Sequence, residues 1–247
     1  MKHPCLHRRP GLSIGDIHVW VARLVDDEEY ATADLSRILD HEEQARAAHF
    51  AIGRDRVRFI MAHGIIRHIL ADYCDADAAA LTFARNEHGK PCLIPRANSP
   101  DLQFSISHSG DCCLLALRLD QPIGVDVEET RDLPQSVSIA KNYFTQAESS
   151  VLALLPETSQ RETFFALWTQ KEAMVKGLGI ALATNLARVE FDLDPFGIPQ
   201  LDAFDGDRSI AQKWSIQRHD LAPGFIAAVA SMHPIRSLSL QNWNRRG

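Results

Sequence analysis

Three stretches of this chain occur twice, in the same order and at nearly the same separation. "IHVWVARL" from Ile17 returns as "IGVDVEET" from Ile123, and both alternate like half-buried strands. "FARNEHGKPCL" (Phe83–Leu93) returns as "FDLDPFGIPQL" (Phe191–Leu201), each running from Phe through a Gly-x-Pro turn to Leu at identical spacing. "FSISHSGDCCLLAL" from Phe104 returns as "WSIQRHDLAPGFIAAVA" from Trp214. Chance produces one such match; three in order point to duplication. Helical regions, about Asp40 to Tyr73 and Thr145 to Gly177, fall between the first and second elements of each copy. The expected fold is α+β: two similar subdomains related by a pseudo-twofold axis, each a small antiparallel sheet with packed helices. Residues 12–118 make the N-terminal half, 119–236 the C-terminal half and 237–247 a tail. "LDQPIG", Leu119 to Gly124, marks the joint, with its proline at a strand edge. Both ends, Met1 to Gly11 and Ser237 to Gly247, are expected to be loosely held.

A chain of 247 residues with 45% hydrophobic content can bury the core of such a pair. Its net charge of -6 argues against a general nucleic-acid binder. The start lacks the apolar run of a signal peptide, and no apolar stretch is long enough to span a membrane. Cys5, Cys74, Cys92, Cys112 and Cys113 include no CxxC and read as reduced, mostly buried thiols. These features together indicate a cytoplasmic protein without a membrane partner.

The copies differ in their polar residues. Lys90 in the first turn faces Ile198 in the second, Ser107-His108-Ser109 faces Gln217-Arg218-His219, Trp20 faces Asp126, and Ala22 faces Glu128. In the helices, His63 falls near Glu172 and Arg67 near Lys176. Polar groups kept on one copy of each element suggest one composite site between the halves.

In "GVDVEE" the strand period puts Asp126 and Glu128 on one face, with Ile123, Val125 and Val127 turned to the core. Adjacent carboxylates repel unless water, a cation or a shared proton relieves them. With Glu172 from "WTQKEAMVKGLG" they form a hard-oxygen set suited to magnesium. Glu172 also stands four residues before Lys176, which leaves open a plain helical ion pair worth about 0.2–0.5 kcal/mol. Arg46, Arg54, Arg56, Arg58 and Arg67 crowd the first helical region and favour an anionic ligand, with Arg54 and Arg56 the ones expected on the solvated surface. His108 and Lys90, each taken alone, read as a structural histidine and a turn lysine.

"NEHGKPCL", "FSISHSG", "QPIGVDVEETR", "IAKNYF" and "WTQKEAMVKGLG", in this order and spacing, resemble the phosphopantetheinyl transferases, specifically the large, internally duplicated Sfp type. The resemblance runs from about Asp40 to Ala230. It implies transfer of the 4′-phosphopantetheine arm of coenzyme A to a serine of an apo acyl- or peptidyl-carrier protein, with release of adenosine 3′,5′-bisphosphate. It implies magnesium, with manganese as an alternative, held by Asp126, Glu128 and Glu172. Asp126, Glu172 and Lys176 match the catalytic positions: Glu172 also matches the proposed base for the serine, and Lys176 a group that neutralises phosphate, with Lys171 in a similar role. Gly89, Lys90 and Pro91 match the turn beside the adenine. Ser107, His108, Arg46 and Arg58 match groups at the 3′-phosphate. Lys141, Tyr143 and Phe144 match the carrier-recognition region. Two positions depart: Glu43 stands where the family often has a second basic residue, and His63 has no assigned place. A non-catalytic coenzyme A or carrier-binding protein and a magnesium-dependent phosphohydrolase are the rival readings. Two halves in one chain already build the interface, so a monomer is expected.

Overall fold

The computed structural model describes residues 11–25, 32–94, 101–221 and 224–244. The expectation of a loosely held first end falls on residues 1–11 and, apart from Gly11, lies outside the described residues. The first unit comprises β1 (Asp16–Arg23), α1 (Thr32–Ser36), α2 (His41–Ala48), α3 (Gly53–Cys74), β2 (Phe83–Arg85), β3 (Pro91–Leu93), β4 (Leu102–Ser109) and β5 (Cys112–Leu119). The second comprises β6 (Ile123–Glu129), α4 (Ser136–Tyr143), α5 (Gln146–Leu154), α6 (Glu157–Leu178), α7 (Leu182–Asn185), β7 (Val189–Leu193), β8 (Pro199–Phe204), α8 (Arg208–Ala211), β9 (Trp214–Asp220) and β10 (Phe225–Met232). The strand order β1-β5-β4 in one sheet is repeated as β6-β10-β9 in the other, all antiparallel. Each unit also carries a two-stranded hairpin in which the repeated Phe and Leu are partners, Phe83 with Leu93 and Phe191 with Leu201. Gly89 and Gly197 of the two Gly-x-Pro turns take φ of 86° and 82°, a conformation that strains other residues.

The duplication extends to a buried ion pair. Asp40 caps α2 and Thr145 caps α5, each in a capping box with the glutamate three residues on, Glu43 or Glu148. In the first half the fully buried Arg67 of α3 bonds Glu43 Oε2 and Asp40 Oδ2 at 2.6 Å each, and donates to the carbonyls of Ala78 and Leu81. In the second the fully buried Lys171 of α6 pairs with Glu148 at 2.9 Å and donates to the carbonyls of Leu186 and Val189. Their cations lie over Phe83 and Phe191, the repeated phenylalanines of the two hairpins. Each cation satisfies a glutamate and two loop carbonyls that burial would otherwise leave unpaired. This corrects the helix alignment: Arg67 corresponds to Lys171, not Lys176, and His68 rather than His63 corresponds to Glu172.

Ser237 to Asn242, expected as part of a loose end, is instead a strand, β11 (Ser237–Asn242), parallel to β1. The first sheet is thus mixed rather than purely antiparallel. Arg236 and Ser237 bond the Asp16 carboxylate, and the buried Arg118 donates to Ser231 Oγ and to the carbonyls of Met232 and Pro234. Beyond β11, Trp243 packs edge-on to Trp20 and stacks on His68. Trp20 and His68 are the twins of Asp126 and Glu172, so the chain covers the place where a second, symmetry-related cleft would open.

Besides its ladder with β10, β6 is joined to its surroundings in two ways. Ser105, Ser107 and Ser109 alternate along β4, and their hydroxyls accept the backbone N–H groups of Val125, Val127 and Glu129. The two sheets are therefore joined edge to edge by serine side chains. On the other side, β6 meets α6 through glycines. A Cβ at Gly124 would fall 1.9 Å from the Ala173 carbonyl oxygen, and one at Gly177 would fall 2.6 Å from the Trp214 ring. Ile123, Val125 and Val127 enter the central core, as the strand period requires. Among the described residues no helix is long and apolar enough to cross a membrane. Of the described cysteines, Cys112 and Cys113 are buried, Cys74 half-buried and Cys92 exposed, and none is in a disulfide.

Candidate functional site

A cleft of about 600 Å³ lies between the halves. Asp126, Glu128, Glu172 and Lys176 line it from the second half, and Arg46, His63, Pro91, Ser107 and His108 from the first. The serine junction and the Gly124–Gly177 approach bring β4, β6 and α6 close enough for this.

Lys176 is the hub of the acidic wall. Its Nζ lies 2.5 Å from Asp126 Oδ1, 3.3 Å from Glu172 Oε2 and 3.1 Å from Ser107 Oγ. Ser107 donates to Asp126 Oδ1 at 2.7 Å, while Asp126 Oδ2 is buried without a hydrogen-bond partner. Ser109 donates to Glu128 Oε2 at 2.9 Å. Burial raises the Asp126 carboxyl above its ordinary range, with Lys176 and Ser107 opposing. Glu128 is raised by burial, and the Glu172 charge adds to this. Glu172 is pushed up to about 7 by burial and by Asp126, with Lys176 opposing. Burial works against the Lys176 ammonium, but Asp126 and Glu172 outweigh it and hold the group protonated. The i,i+4 pair of Glu172 and Lys176 is thus real, yet it is part of a larger charged group rather than surface decoration.

The opposite wall is mixed: Arg46, Arg85, His63 and His108 stand with Asp40, Glu42 and Glu43. Arg46 lies over the Phe59 ring at 5.2 Å, and His63 stacks on the same ring at 4.1 Å. His108 has its pKa lowered by the desolvating cleft walls and by His63, Lys176 and Arg46. Arg58 lines a separate hollow of about 220 Å³ that shares His108. The Gly89-Lys90-Pro91 turn stands beside a third cavity, about 300 Å³, lined by Lys90, Pro91 and Gly177 to Gly179. There Lys90 donates to the Ile123 carbonyl at 2.9 Å, and burial lowers its pKa to about 8. Asn86 ties the same turn to the Gly179 carbonyl at 2.7 Å.

Besides Arg58, Gly89 and Lys90, which stand at or beside those other cavities, two more expected residues are placed away from the cleft. Lys171 is not brought to the cleft, because it is the fully buried partner of Glu148. Phe144, expected at a recognition surface, is buried against Phe164, whereas Lys141 and Tyr143 are exposed. Sequence reasoning missed Ser105 and Ser109, whose signal was the alternation of serines in "SISHS". It also left His63 without a place, although His63 lines the cleft.

Carboxylates suit a hard divalent cation, and the unpartnered Asp126 Oδ2 is an acceptor of the right kind. Among the described residues no three His, Cys, Asp or Glu side chains are already gathered as a metal cluster. Lys176 stands between Asp126 and Glu172 instead.

Comparisons with known proteins agree in both halves. Residues 122–230 match the 4′-phosphopantetheinyl transferase superfamily, and residues 27–119 match the family described as 4′-phosphopantetheinyl transferase, N-terminal. The 4′-phosphopantetheinyl transferase HetI of Nostoc sp. is 32% identical over 232 residues, covering 93% of this chain and 94% of that protein. The 4′-phosphopantetheinyl transferase Sfp of Bacillus subtilis is 30% identical over 193 residues, covering 78% and 82%. The human L-aminoadipate-semialdehyde dehydrogenase-phosphopantetheinyl transferase is 26% identical over 213 residues, covering 80% and 68%. With the duplicated α+β fold and the cleft between its halves, these matches show that the chain belongs to the 4′-phosphopantetheinyl transferase superfamily.

Proposed function

We propose that the protein moves the 4′-phosphopantetheine arm of coenzyme A onto a serine hydroxyl of an apo acyl- or peptidyl-carrier protein. The serine oxygen forms a bond to the phosphorus that carries pantetheine. The pyrophosphate P–O bond breaks, and adenosine 3′,5′-bisphosphate leaves. The observation that carries this reading is the cleft itself: a carboxylate–lysine group on one wall and Arg46, His63 and His108 on the other.

Phosphoryl transfer depends mainly on positioning and charge neutralisation. Lys176, held protonated by Asp126 and Glu172, supplies a fixed positive charge for phosphate oxygens. Glu172 lines the cleft and is the group that would accept the serine proton; without a cation, burial and Asp126 raise its pKa to about 7. Asp126, Glu128 and Glu172 are the residues that would hold magnesium or manganese. When bound, the cation neutralises charge on the pyrophosphate. Ser107 fixes both Asp126 and Lys176, so the acidic wall is oriented from the N-terminal half. Both walls of the cleft come from one chain, which supports a monomer as the working unit.

The test is the release of adenosine 3′,5′-bisphosphate from coenzyme A, with and without apo-carrier. Release that requires both the carrier and the divalent cation supports the transferase. Equal release without carrier would instead support a hydrolase, and none under any condition would support a non-catalytic binder.

A further inference from the structure

Glu43 and Glu148 are twins in sequence position, in their capping boxes and in their buried cations. They differ in what their Oε1 atoms take, and in which oxygen meets the buried cation: Oε2 in Glu43, Oε1 in Glu148. Glu148 Oε1 accepts the N–H of Phe191 at 2.8 Å as well as the Lys171 ammonium. Glu43 Oε1 instead accepts His63 Nδ1 at 2.9 Å. The helix register pairs His63 with Leu167, which is wholly buried in the second core. The first copy therefore carries an imidazole on the cleft wall where the second has an ordinary core residue.

The geometry points to His63 as a further recognition residue for the donor, binding its nucleotide phosphomonoester together with Arg46 and His108. This rests on the reading of coenzyme A as the donor. Three observations support it. First, His63 is held on two sides, by Glu43 at Nδ1 and by Phe59 at its ring face, with Arg46 on the same phenyl ring. Its Nε2, which makes no hydrogen bond to the described residues, is the nitrogen left to meet a ligand. Second, the acids on this wall are engaged. Glu43 is shared by Arg67, His63 and the Asp40 N–H; Asp40 is bonded by Arg67; and Glu42 lies 3.6 Å from Arg85. The carboxylate at position 43 is therefore taken up by Arg67 and by the His63 ring rather than left free to repel an anion. Third, the cleft is lined by Lys176 and its carboxylates from one half and by Arg46, His63 and His108 from the other. A ligand with two separated phosphate groups matches that division. Glu43 and Arg67 are positioning residues that act through His63.

The experiment is calorimetric binding of coenzyme A and dephospho-coenzyme A, which differ by the phosphomonoester alone. Wild type is expected to prefer coenzyme A. His63→Leu, which restores the twin's residue, should lose roughly tenfold or more in affinity for coenzyme A, the scale of a charge-assisted hydrogen bond. Its affinity for dephospho-coenzyme A should be unchanged. His63→Gln, a polar replacement less disturbing to the wall, should lose in the same direction, and His63→Lys should recover much of the preference. Equal weakening of both ligands by His63→Leu and His63→Gln, or no weakening of coenzyme A, would overturn the assignment. A wild type that shows the His63-dependent preference yet transfers nothing to any carrier would leave the phosphomonoester site standing while removing the transferase reading.

Discussion

Lys176 of α6 and Asp126 of β6 meet at 2.5 Å, fifty residues apart in sequence, with the Ser107 hydroxyl of the other half bonded to both. The contact explains why Asp126 can sit at 1% exposure, since Lys176 compensates a charge that burial alone would neutralise. Ser107 joins the two copies of the duplicated unit at the point where chemistry is proposed.

Glu172→Gln should lower transfer by about a hundredfold or more, the usual scale for losing a general acid–base group. The same change should stabilise the metal-free protein at neutral to alkaline pH. Folded Glu172 holds its proton up to about 7 against an ordinary value of 4.5, so its ionisation costs stability as pH rises through that interval. Melting curves in EDTA at about pH 8 check this. A variant less stable than wild type there contradicts it.

Lys171→Met should destabilise the fold by about 3–5 kcal/mol, because it leaves Glu148 buried without its cation. Adding Glu148→Gln should recover part of the loss. Denaturant titrations of the single and double variants decide this, and a Lys171 variant with native stability and lost donor binding would return that lysine to the ligand site.

Lys90 gives a pH signature of opposite sign. Its folded pKa near 8 lies below the ordinary 10.5, so the unfolded chain holds more protons between those values. The contribution of Lys90 to stability should therefore rise as pH climbs through that window. The stability of wild type relative to Lys90→Met, measured by urea melts at about pH 7 and about pH 10, should increase. An unchanged difference contradicts the burial of that ammonium.

Gly124→Ala should cost about 1–3 kcal/mol or more, since its methyl meets the Ala173 carbonyl on α6. Because β6 carries Asp126 and Glu128, transfer should fall further than in a variant of equal stability elsewhere. Trp243→Ala tests the other side of the pseudo-symmetry. Loss of a half-buried indole should cost about 2 kcal/mol, less than the roughly 3–5 of a fully buried one, while transfer by the folded protein is unaffected. Denaturant titrations beside transfer rates check both variants, and a Trp243 variant that folds normally but transfers poorly contradicts the placement of the site.

The strands and hairpins are legible in the sequence because their turns carry fixed signals: Gly-x-Pro at the same distance from Phe and Leu in both copies, and a period of two in "GVDVEE". The helices are harder to align, because connections of different length shift their register against the strands. An offset close to that of the strands places Arg67 near Lys176, whereas the folded chain pairs it with Lys171. A buried cation also has no local mark that separates it from a surface one, and only the capping-box glutamates betray the pair. The strand period pairs Asp126 with Glu128 and the helix period pairs Glu172 with Lys176, while the family resemblance is what joins the two pairs. The role of Ser107 as the link between halves depends on β4 and β6 lying edge to edge, which no local pattern specifies. The parallel pairing of β11 with β1 is hidden for the same reason.

The central claim is most directly tested by the mass of an apo-carrier protein after incubation with this protein, coenzyme A and magnesium. The expected result is a gain of about one phosphopantetheine arm per carrier, and no gain when Asp126→Ala replaces wild type in folded form. Unchanged mass across acyl- and peptidyl-carriers of several kinds, or full modification by Asp126→Ala, would contradict it.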